Sequence, residues 1–177
     1  MSSNKLGAGE QFPRISLPTI SGVEIEISRP YHDATWQLIA IYRGGHSESC
    51  TQFLNSLEDA KLTLAESGIS IVAASADDAP QLQSHLQQLH VSYPLAYGLS
   101  LQQMHELGLF ISVPSDFSET NHPFAEPALF VLNEKGQIVI MDITNNELCR
   151  PELSRLIHGV KLLHDSETPQ TISGSFS

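Results

Sequence analysis

The sequence predicts an α/β protein, a central mixed β-sheet flanked by helices with a β-hairpin ahead of it. Three observations carry that prediction. The run Trp36 to Ile41 is almost continuously apolar, the pattern of a strand buried on both faces. It breaks at Gly44-Gly45, and apolar residues then recur at Cys50, Phe53, Leu54, Leu57, Ala60 and Leu64, the three-and-four spacing of one helix face. Near the other end, Ala128–Leu132 and Gln137–Met141 flank Asn133-Glu134-Lys135-Gly136, which reads as a β-hairpin. The order hairpin, strand–helix–strand, further helices, then two strands and a helix fits a mixed sheet covered on both faces.

The elements follow in chain order. Ile15–Ile20 and Val23–Ile27 are joined by Ser21-Gly22, and the second run alternates apolar with charged residues, so these two form the first hairpin. Pro18 confines its strand to a sheet edge. Gly68 stops the Cys50 helix, and Ile69–Ser75 makes a second buried strand. Asp77-Asp78-Ala79-Pro80 opens another helix, with acids at its start and proline in the first turn. Leu82, Leu86 and Leu89 form its apolar face, and its glutamine-rich side reads as solvated.

Tyr93–Gly98 reads as a short extended piece, and Leu101, Met104 and Leu107 fit a short helix closed by Gly108. Residues 112–127 are irregular, with Pro114, Pro123 and Pro127; so long a segment is usually functional or mobile, and it reads equally as a cover for Cys50 or as an ordinary insertion. Pro151 opens a last helix with Leu153, Leu156, Ile157, Val160 and Leu163 on one face. The reading is of one domain over 1–177, with 165–177 a frayed polar tail.

Composition narrows the functional classes. At 177 residues the chain is long enough for a substantial core. Nine basic against twenty acidic residues give a net charge of −11, which disfavours nucleic acid and anionic membranes as partners. No apolar run approaches a membrane span, and the first residues lack the apolar stretch of a signal peptide. Two cysteines do not make a disulfide framework, so a reduced, cytoplasmic protein is expected. Eight histidines show no close ligand spacing and no glycine-rich phosphate loop occurs, so neither a metal nor a nucleotide cofactor is expected.

Cys50 is the candidate reactive group. It sits in the first turn of its helix, where unpaired N–H groups and the helix dipole favour a thiolate over a thiol. The residues alone leave a second reading open, in which Cys50 is a small buried hydrophobe at the start of an apolar stripe.

The strand, the turn Tyr42-Arg43-Gly44-Gly45 and the cysteine-bearing helix, together with Phe124-Ala125-Glu126-Pro127-Ala128, resemble the peroxiredoxin-like branch of the alkyl hydroperoxide reductase/thiol-specific antioxidant family. The resemblance runs over roughly Leu6 to Leu163 and implies a thioredoxin-like fold. Many relatives continue the turn into Cys-Pro-x-Cys. Here His46-Ser47-Glu48-Ser49-Cys50 places Ser47 at the first cysteine and keeps the second as Cys50. The resemblance therefore implies a one-thiol enzyme that reduces a hydroperoxide and is returned by glutathione or a thioredoxin-like protein. Many relatives dimerise, which makes a homodimer one candidate assembly, but no apolar stripe here is left over as an evident interface.

By the same resemblance, Cys50 attacks the peroxide, Ser47 donates a hydrogen bond to thiolate or peroxide, and Arg43 stabilises the developing charge. The family arginine falls near Glu126, but no arginine occurs between Arg43 and Arg150, so either one of those two takes its place or the role is unfilled. Tyr42, Glu126, and Pro127 as a cis-proline facing the cysteine support the site, and His46 or His122 shuttles protons. His85, His90, His105, His158 and His164 are expected on helix surfaces. Cys149 is a candidate resolving cysteine, although its strand–helix junction is expected outside disulfide reach and a free structural cysteine is preferred. Two rivals remain: a monothiol oxidoreductase forming mixed disulfides, and a catalytically inactive interaction module on the same fold.

Overall fold

The structure is a computed structural model that describes residues 6–116, 120–166 and 171–175. Its centre is a five-stranded sheet of β3 (Trp36–Ile41), β4 (Ile69–Ala74), β5 (Leu95–Ala96), β8 (Ala128–Leu132) and β9 (Ile138–Ile143), in the order β5-β4-β3-β8-β9. β3, β4 and β5 run parallel, while β8 and β9 run antiparallel to their neighbours. The central strand β3 pairs Leu38 with Ile71 on one side and Val131 on the other. Both strand faces are covered, which is why these segments read as apolar throughout rather than alternating.

Successive β3 residues feed two separate cores. Leu38, Ala40 and Tyr42 point to the face covered by α1 (Glu48–Glu66), α2 (Ala79–His85) and α4 (Leu153–His164), where they meet Cys50, Leu54, Leu57, Leu82, Ile157 and Val160. Ile39 and Ile41 point to the other face, with Phe12, Ile15 and Ile27 from the N-terminal region and Met104 and Leu107 from α3 (Leu101–Glu106) and its end. The N-terminal hairpin pairs β1 (Ser16–Pro18) with β2 (Glu24–Glu26). Pro18 lies in that small sheet, outside the ladder of the central one.

The expected irregular stretch after α3 contains a second small ladder, β6 (Ile111–Ser112) against β7 (Phe124–Ala125), which pins both ends of the intervening loop. Leu101, read as part of the α3 apolar face, and Leu163 of α4 are exposed. Of the polar tail, residues 172–175 form a turn, and Ser175 and Gly174 lie against Gly9 and Ala8. The remaining tail positions 167–170 and 176–177, like 117–119 and 1–5, lie outside the described residues. Among the described residues no helix is long and apolar enough to cross a membrane.

Candidate active site around Cys50

The site is built where β3 ends and α1 begins. Gly44 adopts φ 135°, a conformation that L side chains rarely take, and a Cβ there would lie 2.4 Å from Asp77 Oδ1. The Asp77 carboxylate accepts the Gly45 N–H at 2.8 Å and so fixes the turn. Burial pushes the Asp77 carboxyl up from its ordinary value, against the opposing pull of Gly45 and His122.

Ser47 then caps α1: its hydroxyl oxygen accepts the Cys50 N–H at 3.1 Å. Cys50 is thereby placed in the first turn, fully buried, with its sulfur in the core on the helical face of the sheet.

The segment between β9 and α4, which carries Arg150, covers the thiol. Residues 144–150, between β9 and α4, cross the start of α1. Arg150 donates from a guanidinium nitrogen to Cys50 Sγ at 2.9 Å, and its plane lies 4.3 Å from the Phe53 ring centre. Burial pulls the Arg150 guanidinium down from its ordinary value, and its neighbours Cys50, Glu147 and Glu126 oppose that pull.

Three residues upstream, Glu147 receives the Ser47 hydroxyl proton on Oε2 and pairs through Oε1 with Arg43 at 2.8 Å. Its backbone carbonyl accepts from the Ser49 hydroxyl at 3.3 Å. Partial burial alone would push the Glu147 carboxyl up, but Ser47 and Arg43 together hold it below its ordinary value.

These contacts revise several expectations. The cation on the sulfur is Arg150. Arg43, expected in that role, pairs with Glu147 and Glu126 and lies 4.6 Å over the Phe124 ring. Ser47 has one hydroxyl proton and gives it to Glu147, so it does not donate to sulfur in this arrangement. The Glu126–Pro127 peptide is trans, not cis. Glu126 N–H reaches Phe110 O and Pro127 O receives Thr144 N–H, so an extended trans chain joins β7 to β8.

The junction carrying Cys149 lies over the active-site helix rather than away from it, with Cys149 exposed and both cysteines free.

Of the remaining expected site residues, Tyr42 is fully buried, and burial raises its phenol far above the ordinary value. Glu126 accepts the Ser112 hydroxyl at 2.5 Å, and the His46 ring lies edge-on to Phe124 at 4.7 Å. His122 sits one layer out, 3.0 Å from Gln81 Oε1 and 3.9 Å from Asp77. The described part of the 112–127 loop therefore packs on α2, through Thr120 and His122 to Gln81, and the cover on Cys50 comes from 144–150 instead.

His85, expected on a helix surface, is 2% exposed; its Nε2 lies 2.8 Å from Thr51 Oγ1 and its ring 5.8 Å from that of Tyr42. Glu147, Thr51 and Asp77 were not singled out by sequence. Glu147 sits in a polar junction with no motif, and Asp77 reads equally well as a helix start. Among the described residues no group of three or more His, Cys, Asp or Glu is placed to hold a metal ion.

With this geometry in view, the comparisons with known proteins take on meaning. Residues 8–141 match the model of the AhpC/TSA family. No curated protein matches the chain in sequence. Among solved structures, a peroxiredoxin-like protein from Aquifex aeolicus superposes with a TM-score of 0.72 at 14% identity, covering 90% of this chain and 88% of that one. Peroxidoxin BcpB from Mycobacterium tuberculosis gives 0.69 at 15% identity, covering 90% and 96%. The yeast mitochondrial 1-Cys peroxiredoxin, described as having its thiol resolved via glutathione/thioredoxin systems, gives 0.72 at 14% identity, covering 89% and 76%. At these identities the structural likeness establishes the thioredoxin-like fold.

Proposed function

Because the chain belongs to the AhpC/TSA family and is a thiol-dependent peroxidase/oxidoreductase of the thioredoxin fold, we propose that it reduces a hydroperoxide through the single thiol of Cys50. One observation carries this reading: a guanidinium, Arg150, donates to a sulfur that is seated in the first turn of a helix and screened from water. The guanidinium and the helix start stabilise negative charge on sulfur, against the cost of its burial, and the thiolate is the nucleophile that peroxide chemistry needs.

In the proposed reaction the thiolate attacks the terminal peroxide oxygen and the O–O bond breaks. The S–O bond forms, sulfur loses two electrons, and the alkoxide or hydroxide that leaves takes a proton from water. Arg150 stays beside the sulfur and stabilises the charge that moves onto the leaving oxygen. Arg43 adds a second cation at the rim, held in place by Glu126.

One external thiol then condenses with the sulfenic acid, releasing water and leaving a mixed disulfide. A second thiol exchanges with that disulfide and restores Cys50. The glutathione/thioredoxin systems that serve the yeast 1-Cys relative are the reductants we propose here. Cys149 is exposed and adjacent to Arg150; we assign it no role in turnover.

The decisive experiment follows Cys50 sulfenic acid formation with hydrogen peroxide in the wild type, Cys50→Ser and Cys149→Ser. Oxidation well above a free thiol's rate, abolished only by Cys50→Ser, supports the peroxidase. A rate no greater than a free thiol's rejects it. Mixed disulfides with glutathione disulfide would then indicate a monothiol exchanger, and an inert Cys50 an interaction module.

A further inference from the structure

We propose that the Glu147 carboxylate is an internal plug: it occupies, between Ser47 and Arg43, the pocket that receives the two oxygens of a hydroperoxide and that accepts small free carboxylates when Glu147 is removed. The proposal rests on the peroxidase reading of Cys50. Its basis is the division of labour between the two carboxylate oxygens. Oε2 takes the Ser47 hydroxyl proton, and Oε1 takes an Arg43 N–H at 2.8 Å. The two donors come from the turn and the helix cap that seat Cys50, and the Ser47 oxygen lies 3.1 Å from the Cys50 amide nitrogen. The same two donors, one hydroxyl and one guanidinium next to the Cys50 amide, can hold two adjacent oxygens of another acceptor.

The segment bearing the plug is held on α1 mainly by polar contacts. Leu148, the apolar residue next to Glu147, is 79% exposed. The turn around it closes on itself, with Thr144 Oγ1 donating to Asn146 O, Leu148 N–H to Asn146 Oδ1 and Cys149 N–H to Asn146 O. What fastens it to the active-site helix is Glu147 to Ser47, Arg43 and Ser49, and Arg150 to Cys50 and Phe53. Polar contacts at a partly wetted rim exchange readily with a ligand offering the same acceptors. With Glu147 seated, Cys50 is fully buried. A peroxide reaches the sulfur as the carboxylate swings out and releases the Ser47 proton and the Arg43 guanidinium.

The test measures Cys50 oxidation by hydrogen peroxide in a Cys149→Ser parent and in its Glu147→Ala and Glu147→Gln derivatives. Sodium acetate is titrated against sodium chloride of equal ionic strength. Iodoacetamide alkylation of Cys50 is followed in parallel. A plug seated most of the time lowers apparent peroxide reactivity by the fraction closed, so Glu147→Ala should react about tenfold faster or more. Acetate should slow that variant in competition with peroxide and leave the parent unchanged. Glu147→Gln, isosteric and able to keep one acceptor, should fall between them.

Equal acceleration of both variants with no acetate effect would reduce Glu147 to a nearby negative charge and overturn the proposal. A Glu147→Ala variant no faster than the parent would overturn it as well. If acetate shields Cys50 of Glu147→Ala from iodoacetamide while peroxide oxidises it no faster than a free thiol, the plug stands and the peroxidase reading falls.

Discussion

Arg150 and Cys50 lie a hundred residues apart in sequence and 2.9 Å apart in space, guanidinium nitrogen to sulfur. Arg43, seven residues before Cys50, is drawn sideways by two carboxylates, Glu126 and Glu147. The division is electrostatic in origin. Arg43 forms ion pairs with both acids and lies over the Phe124 ring, whereas Arg150 lies over the Phe53 ring and hydrogen-bonds the sulfur.

Arg150→Met should therefore lower the rate of Cys50 oxidation. A hydrogen bond to a charged group contributes about 1.5–3 kcal/mol, which corresponds to a loss of about ten- to a hundredfold in rate. Arg150→Lys keeps the charge without the planar fork and should lose less. Stopped-flow oxidation with hydrogen peroxide reads both, and an unchanged Arg150→Met rate would remove Arg150 from the site.

Ser47 contributes to stability independently of any chemistry. As the α1 cap it satisfies the Cys50 N–H, and Ser47→Ala should cost about 1 kcal/mol in urea unfolding. Ser47→Thr, which keeps the hydroxyl, should recover most of that. If Ser47→Ala unfolds at the wild-type midpoint, the cap is not contributing.

The strands and helices were legible because their signals are local. β3, β4, the β8–β9 hairpin and the stripe of α1 each carry their pattern within one short contiguous stretch. The seat of Cys50 was legible for the same reason, since Gly44-Gly45 and Ser47 adjoin it. Arg150, Glu147 and Asp77 are different. Glu147 and Arg150 reach the site together on the 144–150 segment and Asp77 from just before α2. Arg150 stood as one of two candidate cations by elimination, but nothing within a window of sequence distinguishes Glu147 from any acid in a polar junction. His85 was misplaced on a solvated face because its neighbours Gln83, Ser84, Gln87 and Gln88 are polar. The structure turns that one position inward onto Thr51 and Tyr42.

Gly44→Ala should destabilise the turn from two directions. The backbone φ of 135° is strained for any residue with a Cβ, and the added methyl would lie 2.4 Å from the Asp77 carboxylate that holds Gly45. Backbone strain of this kind costs on the order of 1–3 kcal/mol before the clash is counted. Asp77→Ala on the wild-type turn removes the Gly45 partner instead, at about 1–3 kcal/mol for the orphaned donor. Chemical denaturation of each variant checks the pair, and near-wild-type stability in Gly44→Ala would show that the turn relaxes without loss.

His85 gives the fold a pH dependence of definite sign. Burial lowers its imidazole below 6.5, with His46 adding a smaller push in the same direction. Thr51 Oγ1 donates to Ser47 O, so the contact at His85 Nε2 is made by the ring N–H, and Nδ1 remains the unprotonated nitrogen, buried without a protein partner. The unfolded chain thus binds this proton more readily than the folded one. Stability is full above about pH 6.5 and falls as the pH drops below it, by at most about 1.4 kcal/mol per pH unit for one proton. Asp77, whose carboxyl is raised, contributes with the opposite sign: its protonation in the folded state begins at higher pH and favours the fold in acid. Thermal unfolding between pH 7.5 and 5.5 should show the melting temperature declining in the wild type and flattening in His85→Gln. An identical decline in both proteins would mean that the titrating group is elsewhere.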